Sequence, residues 1–367
     1  MSNTIGRLYR VTCFGESHGR CVGVVVDGCP AGHRLDTGHL QAELDRRRPG
    51  QSGVSTPRSE EDRVEVLSGV FNGVTTGAPI CMLVWNRDTD STRYEERRWT
   101  SRPGHADYAA EKRYGGHQDY RGGGRFSGRI TAGYVMAGAL AKQILAATHG
   151  VEVLGYTSQI GSHEAPDVTL DQVKSNTEKN PVRCPDPDTA RDMEEEIQRE
   201  RDEGDSLGGA VKCMVVNVLP GVGQPVFDTL EGDLAKALFS VPAVKAVEFG
   251  AGKALASMRG SESNDPYTVV GGRVETASNN MGGVLGGVST GAPIEFTVTF
   301  KPTPSISKPQ QTVDLKSLKE TTITVEGRHD PCIVPRAVPV VESVAAMVVL
   351  DHLLQRGHVP QVLGETR

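Results

Sequence analysis

The sequence has few aromatic residues, no excess of positive charge and no closely spaced cysteine pairs. Aromatic side chains make up 5% of the 367 residues, and the formal net charge is −6 at neutral pH. Because an acidic chain has no general field that attracts nucleic acid, we expect no nucleic-acid partner. The seven cysteines include no CxxC spacing, which favours reduced thiols over a disulfide framework.

Long apolar runs are also missing from the sequence. A helix needs about 20 mostly apolar residues to cross a bilayer, so we expect no association with membranes. The segment from Met1 to Arg7 has neither the apolar core of a signal peptide nor the Arg- and Ser-rich composition of a transit peptide. We therefore expect a cytoplasmic protein.

Glycine is abundant, with 43 residues, and arginine is concentrated in a few segments. Glycine lets the backbone approach a ligand closely, arginine binds phosphates and carboxylates with two parallel hydrogen bonds, and histidine transfers protons. These residue types occur together in four segments: Gly15-Glu-Ser-His-Gly19, Arg102-Pro-Gly-His-Ala-Asp107, Arg121-Gly-Gly-Gly-Arg-Phe-Ser-Gly-Arg129 and Gly327-Arg-His-Asp-Pro-Cys332. The four clusters predict an enzyme with one site for a small polyanion.

Two distant segments share one pattern. Gly73-Val-Thr-Thr-Gly-Ala-Pro-Ile80 recurs as Gly287-Val-Ser-Thr-Gly-Ala-Pro-Ile294, and each copy follows a predicted strand, turn and N-capped helix. A chance match is the alternative, because Gly-Ala-Pro turns are common. We interpret the recurrence as two pseudo-symmetric α/β halves, roughly residues 8–150 and 210–310, within a single domain over residues 1–367.

Three segments predict long helices. Ile130 to His149 is rich in alanine and is followed by Gly150, Asp188 to Glu203 is dense in charge, and Glu342 to Arg356 carries an apolar stripe. The segment from Lys301 to Pro309 contains too many prolines for a helix or a sheet. It predicts an extended loop that lies on the surface or lines a site.

His18 lies between two glycines after a predicted strand, which indicates a tight turn that presents the imidazole. Gly15, Ser17 and Gly19 also fit the spacing of a hydrolase nucleophile elbow, but a strand-like segment follows where the elbow needs a helix. In the second cluster, His105 beside an arginine predicts general acid–base chemistry at an anionic substrate.

Two residues of these clusters allow more than one interpretation. Asp107 is interpreted as a cap for a helix from Tyr108 rather than as a catalyst, and a metal site formed with His105 and Asp330 is a further alternative. Asp330 precedes a proline, which favours extended backbone, and a neighbouring arginine would hold its carboxylate ionised. An ordinary salt-bridged turn is the other explanation of that segment.

The glycine run before the helix predicted from Ile130 indicates an anion cradle. Backbone N–H groups, the positive end of the helix and the guanidinium groups of Arg121 to Arg129 would share that function. An RNA-binding Arg/Gly segment is the alternative, although a single copy in an acidic chain gives it little support.

Taken together, these segments resemble the chorismate synthase family from about residue 4 to about residue 355. Further segments in the same order carry the resemblance: Asp45-Arg-Arg-Arg-Pro-Gly50, Gly204-Asp-Ser-Leu-Gly-Gly209, Asn280-Met-Gly-Gly-Val-Leu-Gly-Gly287, Lys301-Pro-Thr-Pro-Ser305 and Arg336-Ala-Val-Pro339. The resemblance implies an α/β (α+β) fold, namely a β-α-β sandwich of two pseudo-symmetric halves, and a homotetramer.

The resemblance also implies a reaction. A carbon–oxygen lyase would remove phosphate and a C6 hydrogen from 5-enolpyruvylshikimate 3-phosphate in a 1,4-anti elimination, giving chorismate in the last step of the shikimate pathway. The family requires reduced FMN without net redox change, and NADPH would enter only as a flavin reductant. Reduced flavin would lend electron density so that phosphate can leave.

The family's residue roles can be transferred to this sequence. By resemblance, His105 would protonate the departing phosphate, His18 would stabilise charge at the flavin pyrimidine edge, and Asp330 would manage the proton at flavin N5. The residues implied in substrate binding are Ser17, Arg47, Arg48, Arg102, Ser127, Arg129 and Arg328. Those implied in flavin binding are Arg125, Phe126, Ser127, Pro242, Ala243, Gly286, Lys301, Pro302, Thr303, Pro304, Ser305 and Arg328. No metal is implied.

The sequence departs from the family at two positions. Gly128 stands where the family has alanine, and Gly53 stands where an arginine is often found, so that Arg58 or Arg63 would have to compensate. Neither departure affects the two histidines or the aspartate, and we expect activity. A flavoprotein reductase without elimination activity and a nucleic-acid-binding protein remain the alternatives.

Overall fold

Two five-stranded antiparallel sheets with matching strand orders enclose a layer of helices. The computed structural model describes residues 3–50, 60–89, 91–325 and 329–364. The strands of the first half are β1 (Thr4–Ile5), β2 (Arg10–Gly15), β3 (Cys21–Asp27), β4 (Glu65–Val66), β5 (Val70–Phe71), β6 (Val74–Thr75) and β7 (Ile80–Trp85). The first sheet has the order β1-β2-β3-β7-β4.

The second sheet repeats this arrangement later in the chain. Its half contains β8 (Glu152–Ile160), β9 (His163–Glu164), β10 (Gly209–Val216), β11 (Val244–Phe249), β12 (Tyr267–Val270), β13 (Arg273–Thr276), β14 (Val284–Leu285), β15 (Val288–Ser289), β16 (Ile294–Phe300), β17 (Gln310–Asp314) and β18 (Lys319–Ile323). The order is β9-β8-β10-β16-β11. Strand β10 is therefore the central strand of this sheet, as β3 is of the first, and β16 lies beside it as β7 lies beside β3. Hairpins β5–β6 and β14–β15 occupy equivalent places before the last long strand of each half.

The helices are α1 (Thr37–Arg47), α2 (Thr92–Glu96), α3 (Asp107–Tyr114), α4 (Thr131–His149), α5 (Leu170–Asn176), α6 (Pro187–Asp202), α7 (Leu230–Leu238), α8 (Gly260–Ser263) and α9 (Val334–Gln355). Short 3₁₀ segments lie at Arg121–Phe126, Gly128–Ile130, Thr177–Lys179 and Gly252–Ser257. The helices predicted near α4 and α6 are confirmed, and α4 ends at the left-handed Gly150 as expected.

Helix α9 begins eight residues before the predicted start at Glu342, so that prediction was wrong at its N-terminal end. Pro335 lies in the first turn, where proline is tolerated, but Pro339 lies inside the helix. Proline has no N–H to donate to the carbonyl of the residue four positions earlier. Here the guanidinium of Arg183 donates to the Pro335 carbonyl at 2.7 Å, which satisfies that carbonyl from outside the helix.

The repeated sequence pattern builds the same turn in both halves. The hydroxyl of Thr75 donates to the carbonyl of Pro30 at 2.6 Å and accepts from the N–H of His33 at 2.9 Å. The hydroxyl of Ser289 donates to a carbonyl at 2.5 Å and accepts from the N–H of Val222 at 2.9 Å. The Thr/Ser difference between the copies therefore preserves the hydroxyl that makes both hydrogen bonds.

Helices α4 and α9 form the middle of the sandwich. Helix α4 packs on β2, β3 and β7, helix α9 packs on β8 and β10, and the two helices pack on each other. A side chain at Gly138 would overlap Ser343 of α9, so glycine is required for this close crossing. The predicted β-α-β sandwich of two pseudo-symmetric halves is confirmed.

Two helices contradict the expectation that no apolar segment is long enough to cross a membrane. The segments Gly128–His149 and Val334–Gln355 are, by length and composition, apolar enough to cross a membrane. Their most apolar windows are 72% and 100% buried inside the fold. Burial between the two sheets accounts for their composition, because a helix surrounded by protein needs apolar residues on all sides.

A cluster of charges lies inside the sandwich and joins its halves. The carboxylate of Glu342 on α9 accepts hydrogen bonds from Arg46 at 2.6 and 2.9 Å, from Lys142 at 2.5 Å and from the N–H of Gly155 at 2.9 Å. Its side chain is only 4% exposed. Burial would raise the pKa of Glu342, but Arg46 and Lys142 outweigh this effect and lower the pKa to about 2.

Candidate active site

A cavity of about 1680 Å³ collects most of the residues that the sequence singled out. Its walls come from the β2–β3 turn, the long connection between β7 and α4, the residues before β11, and the connection between β16 and α9. The predicted site residues that line it are Ser17, His18, Arg47, Arg102, His105, Arg125, Phe126, Ser127, Arg129, Pro242, Ala243, Lys301, Thr303, Pro304, Ser305 and Asp330.

Three predicted site residues that the structure describes do not line the cavity. They are Arg48, Pro302 and Gly286. The side chain of Arg48 is 43% exposed and lies 3.7 Å from Asp45, and Gly286 lies in the turn of the β14–β15 hairpin. Arg328, Gly53 and Arg58 lie outside the described residues. Arg63 does not line the cavity either.

Three consecutive glycines bring the two histidines together. Gly122, Gly123 and Gly124 all have left-handed backbones, with φ of 58°, 81° and 52°. A side chain at Gly122 would overlap the ring of His18, and one at Gly123 would lie 3.1 Å from Cε1 of His105. Both histidines therefore pack against a surface that only glycine can provide.

The ring of His18 is held from the opposite side by the residues after β7. Its Nδ1 lies 2.9 Å from the hydroxyl of Ser91, and Tyr94 packs against the ring edge to face with centroids 5.0 Å apart. The turn that carries His18 is joined to the glycine run by a hydrogen bond from the N–H of Ser17 to the carbonyl of Gly124. The imidazole is thus fixed at the cavity wall.

Asp107 does not cap a helix, contrary to the interpretation from the sequence. It is the first residue of α3, and its carboxylate makes no capping hydrogen bond. Instead Oδ1 lies 2.5 Å from Nδ1 of His105, and the two oxygens accept from Nε and Nη2 of Arg102 at 2.8 Å each. The carboxylate faces its own loop because Arg102 and His105, which precede it in the chain, are stronger partners than the N–H groups of the helix.

Burial and the hydrogen bond between the two residues act in opposite directions on the pKa values of His105 and Asp107. Burial lowers the pKa of His105 below its ordinary value, with a further contribution from Arg102, while the hydrogen bond to Asp107 opposes the shift. Burial would raise the pKa of Asp107, but its hydrogen bonds to Arg102 and His105 hold that pKa well below the ordinary value. At neutral pH the free site therefore contains a carboxylate and a neutral imidazole.

The sequence missed Asp62, a buried carboxylate that organises the predicted anion-binding arginines. It pairs with Arg47 at 3.2 Å and with Arg129, and its side chain is fully shielded from solvent. Burial and the neighbouring Arg336 lower the pKa of Arg47 to about 9, an effect that Asp62 partly offsets. Asp62 escaped notice because it lies in the run Glu60-Glu61-Asp62-Arg63, which is typical of a solvated segment.

Asp330 pairs with an arginine to which the sequence analysis gave no role. Its carboxylate contacts Arg336 in the first turn of α9; Arg328, the partner suggested by the sequence, lies outside the described residues. Arg336 also donates to the carbonyl of Arg47 at 3.1 Å, so it links the two sides of the cavity. The signal for Arg336 was present in the segment Arg336-Ala-Val-Pro339, which carried the resemblance without a role.

Arg125 binds the protein itself. It donates to the carbonyls of Gly15 at 2.9 Å and Cys13 at 3.2 Å and to the side chain of Asn3 at 2.9 Å. These contacts anchor the glycine run to β2. Over the described part of the chain, no group of three or more His, Cys, Asp or Glu side chains is arranged to hold a metal ion.

Comparison with known proteins gives a consistent result. The model of the family described as chorismate synthase matches residues 9–354. The chain is 51% identical to the chorismate synthase of Dehalococcoides mccartyi over 365 residues, which cover 100% of both chains. It is 56% identical to that of Methanopyrus kandleri over 364 residues, covering 97% of this chain and 94% of the relative.

A solved structure supports the same conclusion for the fold. The crystal structure of a chorismate synthase superposes with a TM-score of 0.76 at 29% sequence identity, covering 96% of this chain and 93% of that chain. The likeness therefore extends over both sheets and the helices between them. The chain belongs to the chorismate synthase family, whose members are carbon–oxygen lyases of the shikimate pathway.

Proposed function

We propose that the protein converts 5-enolpyruvylshikimate 3-phosphate to chorismate and phosphate by 1,4-anti elimination, with reduced FMN required and no net redox change. The observation that carries this proposal is the meeting of His18, His105 and Asp330 at one cavity. The three residues come from connections that are distant in sequence, and each is held by polar partners.

The charge of the cavity suits a substrate with a phosphate and two carboxylates. Among the described residues that line it are nine Arg and Lys side chains against six Asp and Glu side chains, an excess of three positive charges. The whole chain has a net charge of −6. A cavity of opposite sign to the protein around it concentrates anions from solution.

The cavity also fits a flavin in addition to the substrate. Its volume of about 1680 Å³ exceeds the roughly 300–1,000 Å³ typical of a site for one drug-sized ligand. The side-chain oxygens of Ser101, Gln118 and Thr303 are buried in its wall without a partner among the described residues. Because buried polar atoms are normally hydrogen-bonded, these oxygens favour a ligand rich in polar ring atoms.

The residues that would hold FMN are those of the loop Lys301 to Ser305 and the pair Pro242-Ala243, with Arg125 to Ser127 nearby. When bound, reduced FMN supplies transient electron density that assists the departure of phosphate. The protein's task is then to orient the substrate, exclude water and move protons.

His105 is the residue that would protonate the leaving phosphate. It is neutral in the free site, because burial lowers its pKa. A phosphate dianion bound beside it would favour the charged imidazolium, so that substrate binding itself prepares the acid. Asp330, held by Arg336, would manage the proton at flavin N5 that is coupled to removal of the C6 hydrogen, and His18 would stabilise negative charge at the flavin pyrimidine edge.

The test is an anaerobic assay with 5-enolpyruvylshikimate 3-phosphate and chemically reduced FMN, in which chorismate and phosphate are measured together. Equal release of both products, absent with oxidised FMN, is the expected result. Release of phosphate without chorismate would contradict the elimination, and turnover with oxidised FMN would contradict the requirement for reduced flavin.

A homotetramer is the assembly we propose, and exposed apolar surface supports self-association. In the β12–β13 hairpin, Tyr267, Val269 and Val274 are 66%, 72% and 69% exposed. Side chains of this kind are normally covered in a stable assembly. Light scattering coupled to size exclusion should give about four times the chain mass of 39.3 kDa; a mass equal to one chain would overturn the proposal.

A further inference from the structure

His105 is held by a chain of contacts within its own loop. Nδ1 of His105 lies 2.5 Å from Oδ1 of Asp107. Both oxygens of that carboxylate accept from the guanidinium of Arg102 at 2.8 Å, and Oδ2 also accepts from the backbone N–H of Arg102 at 3.1 Å. The three side chains are 16%, 25% and 11% exposed, in the order His105, Asp107 and Arg102.

This arrangement selects one tautomer of the imidazole. A carboxylate can only accept hydrogen bonds, so the proton between the two groups belongs to Nδ1. Nε2 then carries no proton; it accepts from Nη2 of Arg102 at 3.3 Å and faces Gly123, where an added side chain would lie 3.2 Å away. The absence of a side chain at Gly123 leaves space in the cavity beside Nε2 of His105, the atom that must exchange a proton with a ligand.

Arg102 is engaged by protein groups through all three of its guanidinium nitrogens. Nε and Nη2 donate to Asp107, and Nη1 donates to the hydroxyl of Ser305 at 3.2 Å. Ser305 belongs to the loop that would hold the flavin. Arg102 therefore connects the histidine loop to that loop.

We propose that Asp107 is a positioning residue for His105, and that Arg102 holds Asp107 in this role. The proposal rests on the proposed function, in which His105 protonates the leaving phosphate. Asp107 fixes the ring and stabilises the imidazolium, while its pairing with Arg102 keeps the carboxylate from taking the proton itself.

The proton balance at the departing phosphate follows from this arrangement. With substrate bound, His105 carries protons on both ring nitrogens. As the bond between C3 and the phosphate oxygen breaks, its electron pair goes to that oxygen, which receives the Nε2 proton. His105 returns to the neutral form with its Nδ1 proton still directed at Asp107. Asp107 remains a carboxylate throughout.

The first experiment compares Asp107→Asn, His105→Ala and the double variant in the chorismate assay. Asp107→Asn should lower kcat by roughly 10²- to 10⁴-fold, the usual contribution of a positioned acid or base. KM and the affinity for FMN, measured by flavin fluorescence, should change little. The double variant should be no slower than His105→Ala alone, because residues that act as one unit are not additive. Additive losses would overturn the proposal.

The second experiment needs no turnover, so it separates this proposal from the proposed function. Nitrogen-15 NMR of histidine-labelled protein, assigned with His105→Ala, should show His105 protonated at Nδ1. In Asp107→Asn, Arg102 engages the single amide oxygen, the amide NH₂ turns to His105, and the proton moves to Nε2. Asp119→Asn is the matched control: Asp119 also pairs bidentately with an arginine, Arg121, at 2.8 and 2.9 Å, and the His105 signals should not change.

The outcomes distinguish the two hypotheses. Suppose that the wild-type protein forms no chorismate, but that His105 is protonated at Nδ1 in the wild type and at Nε2 in Asp107→Asn. This result would contradict the proposed function alone. Normal turnover with an unchanged tautomer in Asp107→Asn would contradict the positioning role alone. Asp107→Glu, which restores a carboxylate, should recover part of the kcat; if it is as slow as Asp107→Asn while equally stable to heat, the role assigned to Asp107 fails.

Discussion

The two halves of the molecule share a scaffold and differ in the connections attached to it. In both halves the repeated Gly-Val-Thr/Ser-Thr-Gly-Ala-Pro-Ile segment leads into the strand that precedes the connection to a central helix. The connection between β7 and α4 contributes His105 and Asp107, while the one between β16 and α9 contributes Ser305 and Asp330. The repeated segments therefore belong to the scaffold that the halves share, and the connections that differ between the halves carry these site residues.

The largest effect should follow from a change in a connection. Asp330→Asn removes the carboxylate that would manage the proton at flavin N5 during removal of the C6 hydrogen, so kcat should fall by roughly 10²- to 10⁴-fold, with substrate and FMN binding largely retained. Asp314→Asn is the control, because Asp314 belongs to the same connection but caps an exposed turn through the N–H groups of Lys316 and Ser317. Retention of most of the kcat in Asp330→Asn would refute the role of Asp330.

A change where the halves meet should act on stability. Glu342→Gln leaves Arg46 and Lys142 buried without their main counter-charge, which should lower the free energy of unfolding by about 3–5 kcal/mol. Urea titration measures this cost. The surface pair of Glu152 and Lys174, 2.8 Å apart, provides the control Glu152→Gln, for which about 0–1 kcal/mol is expected. Equal costs for the two variants would show that the buried charges do not join the halves.

The same carboxylate predicts how stability depends on pH. The pKa of Glu342 falls from 4.5 to about 2 in the folded protein. A group with a lowered folded pKa stabilises the protein above its unfolded pKa and loses this contribution as pH falls through the folded pKa. Wild-type protein should therefore lose more stability than Glu342→Gln between pH 4.5 and pH 2. Parallel curves for the two proteins over this range would contradict the assignment.

The repeated turns allow a test of equivalence between the halves. Thr75→Val and Ser289→Ala each remove a buried hydroxyl that bridges two backbone groups, so each should cost about 1–3 kcal/mol in thermal or urea unfolding. The exchanges Thr75→Ser and Ser289→Thr keep the hydroxyl and should cost less than either deletion. A large cost in one half and none in the other would show that the two turns are not equivalent.

The smallest expected effect concerns a glycine at which the sequence departs from the family. A side chain at Gly128 would meet nothing within 4 Å, so Gly128→Ala should stabilise the protein by about 0.4–1 kcal/mol by restricting the unfolded chain. The kinetic constants should not change. Gly123→Ala is the contrast: its backbone is left-handed and its side chain would press on His105, so both stability and kcat should fall. Destabilisation by Gly128→Ala would show that this glycine is needed.

The local signals in the sequence were sufficient for the repeated halves, for most of the three long helices and for the presentation of the two histidines. The recurrence of eight residues predicted the halves, Gly150 predicted the end of α4, and the glycines beside His18 and His105 predicted where the histidines would be presented. These features depend on contacts between near neighbours in the chain or on backbone conformations that few residues adopt. Local rules also misled where long-range partners intervened, as when Arg183 satisfied the carbonyl left by Pro339.

The sequence by itself thus determined the halves, the three long helices except for the start of α9, and the residue types of the site. Only the tertiary structure decided which charges meet: Asp62 with Arg47 and Arg129, Asp330 with Arg336, and Glu342 with Arg46 and Lys142. The physical reason is that the sequence does not distinguish a charged residue that faces water from one that pairs with another charge. Their pairing is fixed only when the burial of the surrounding apolar surfaces removes the water that would otherwise solvate them.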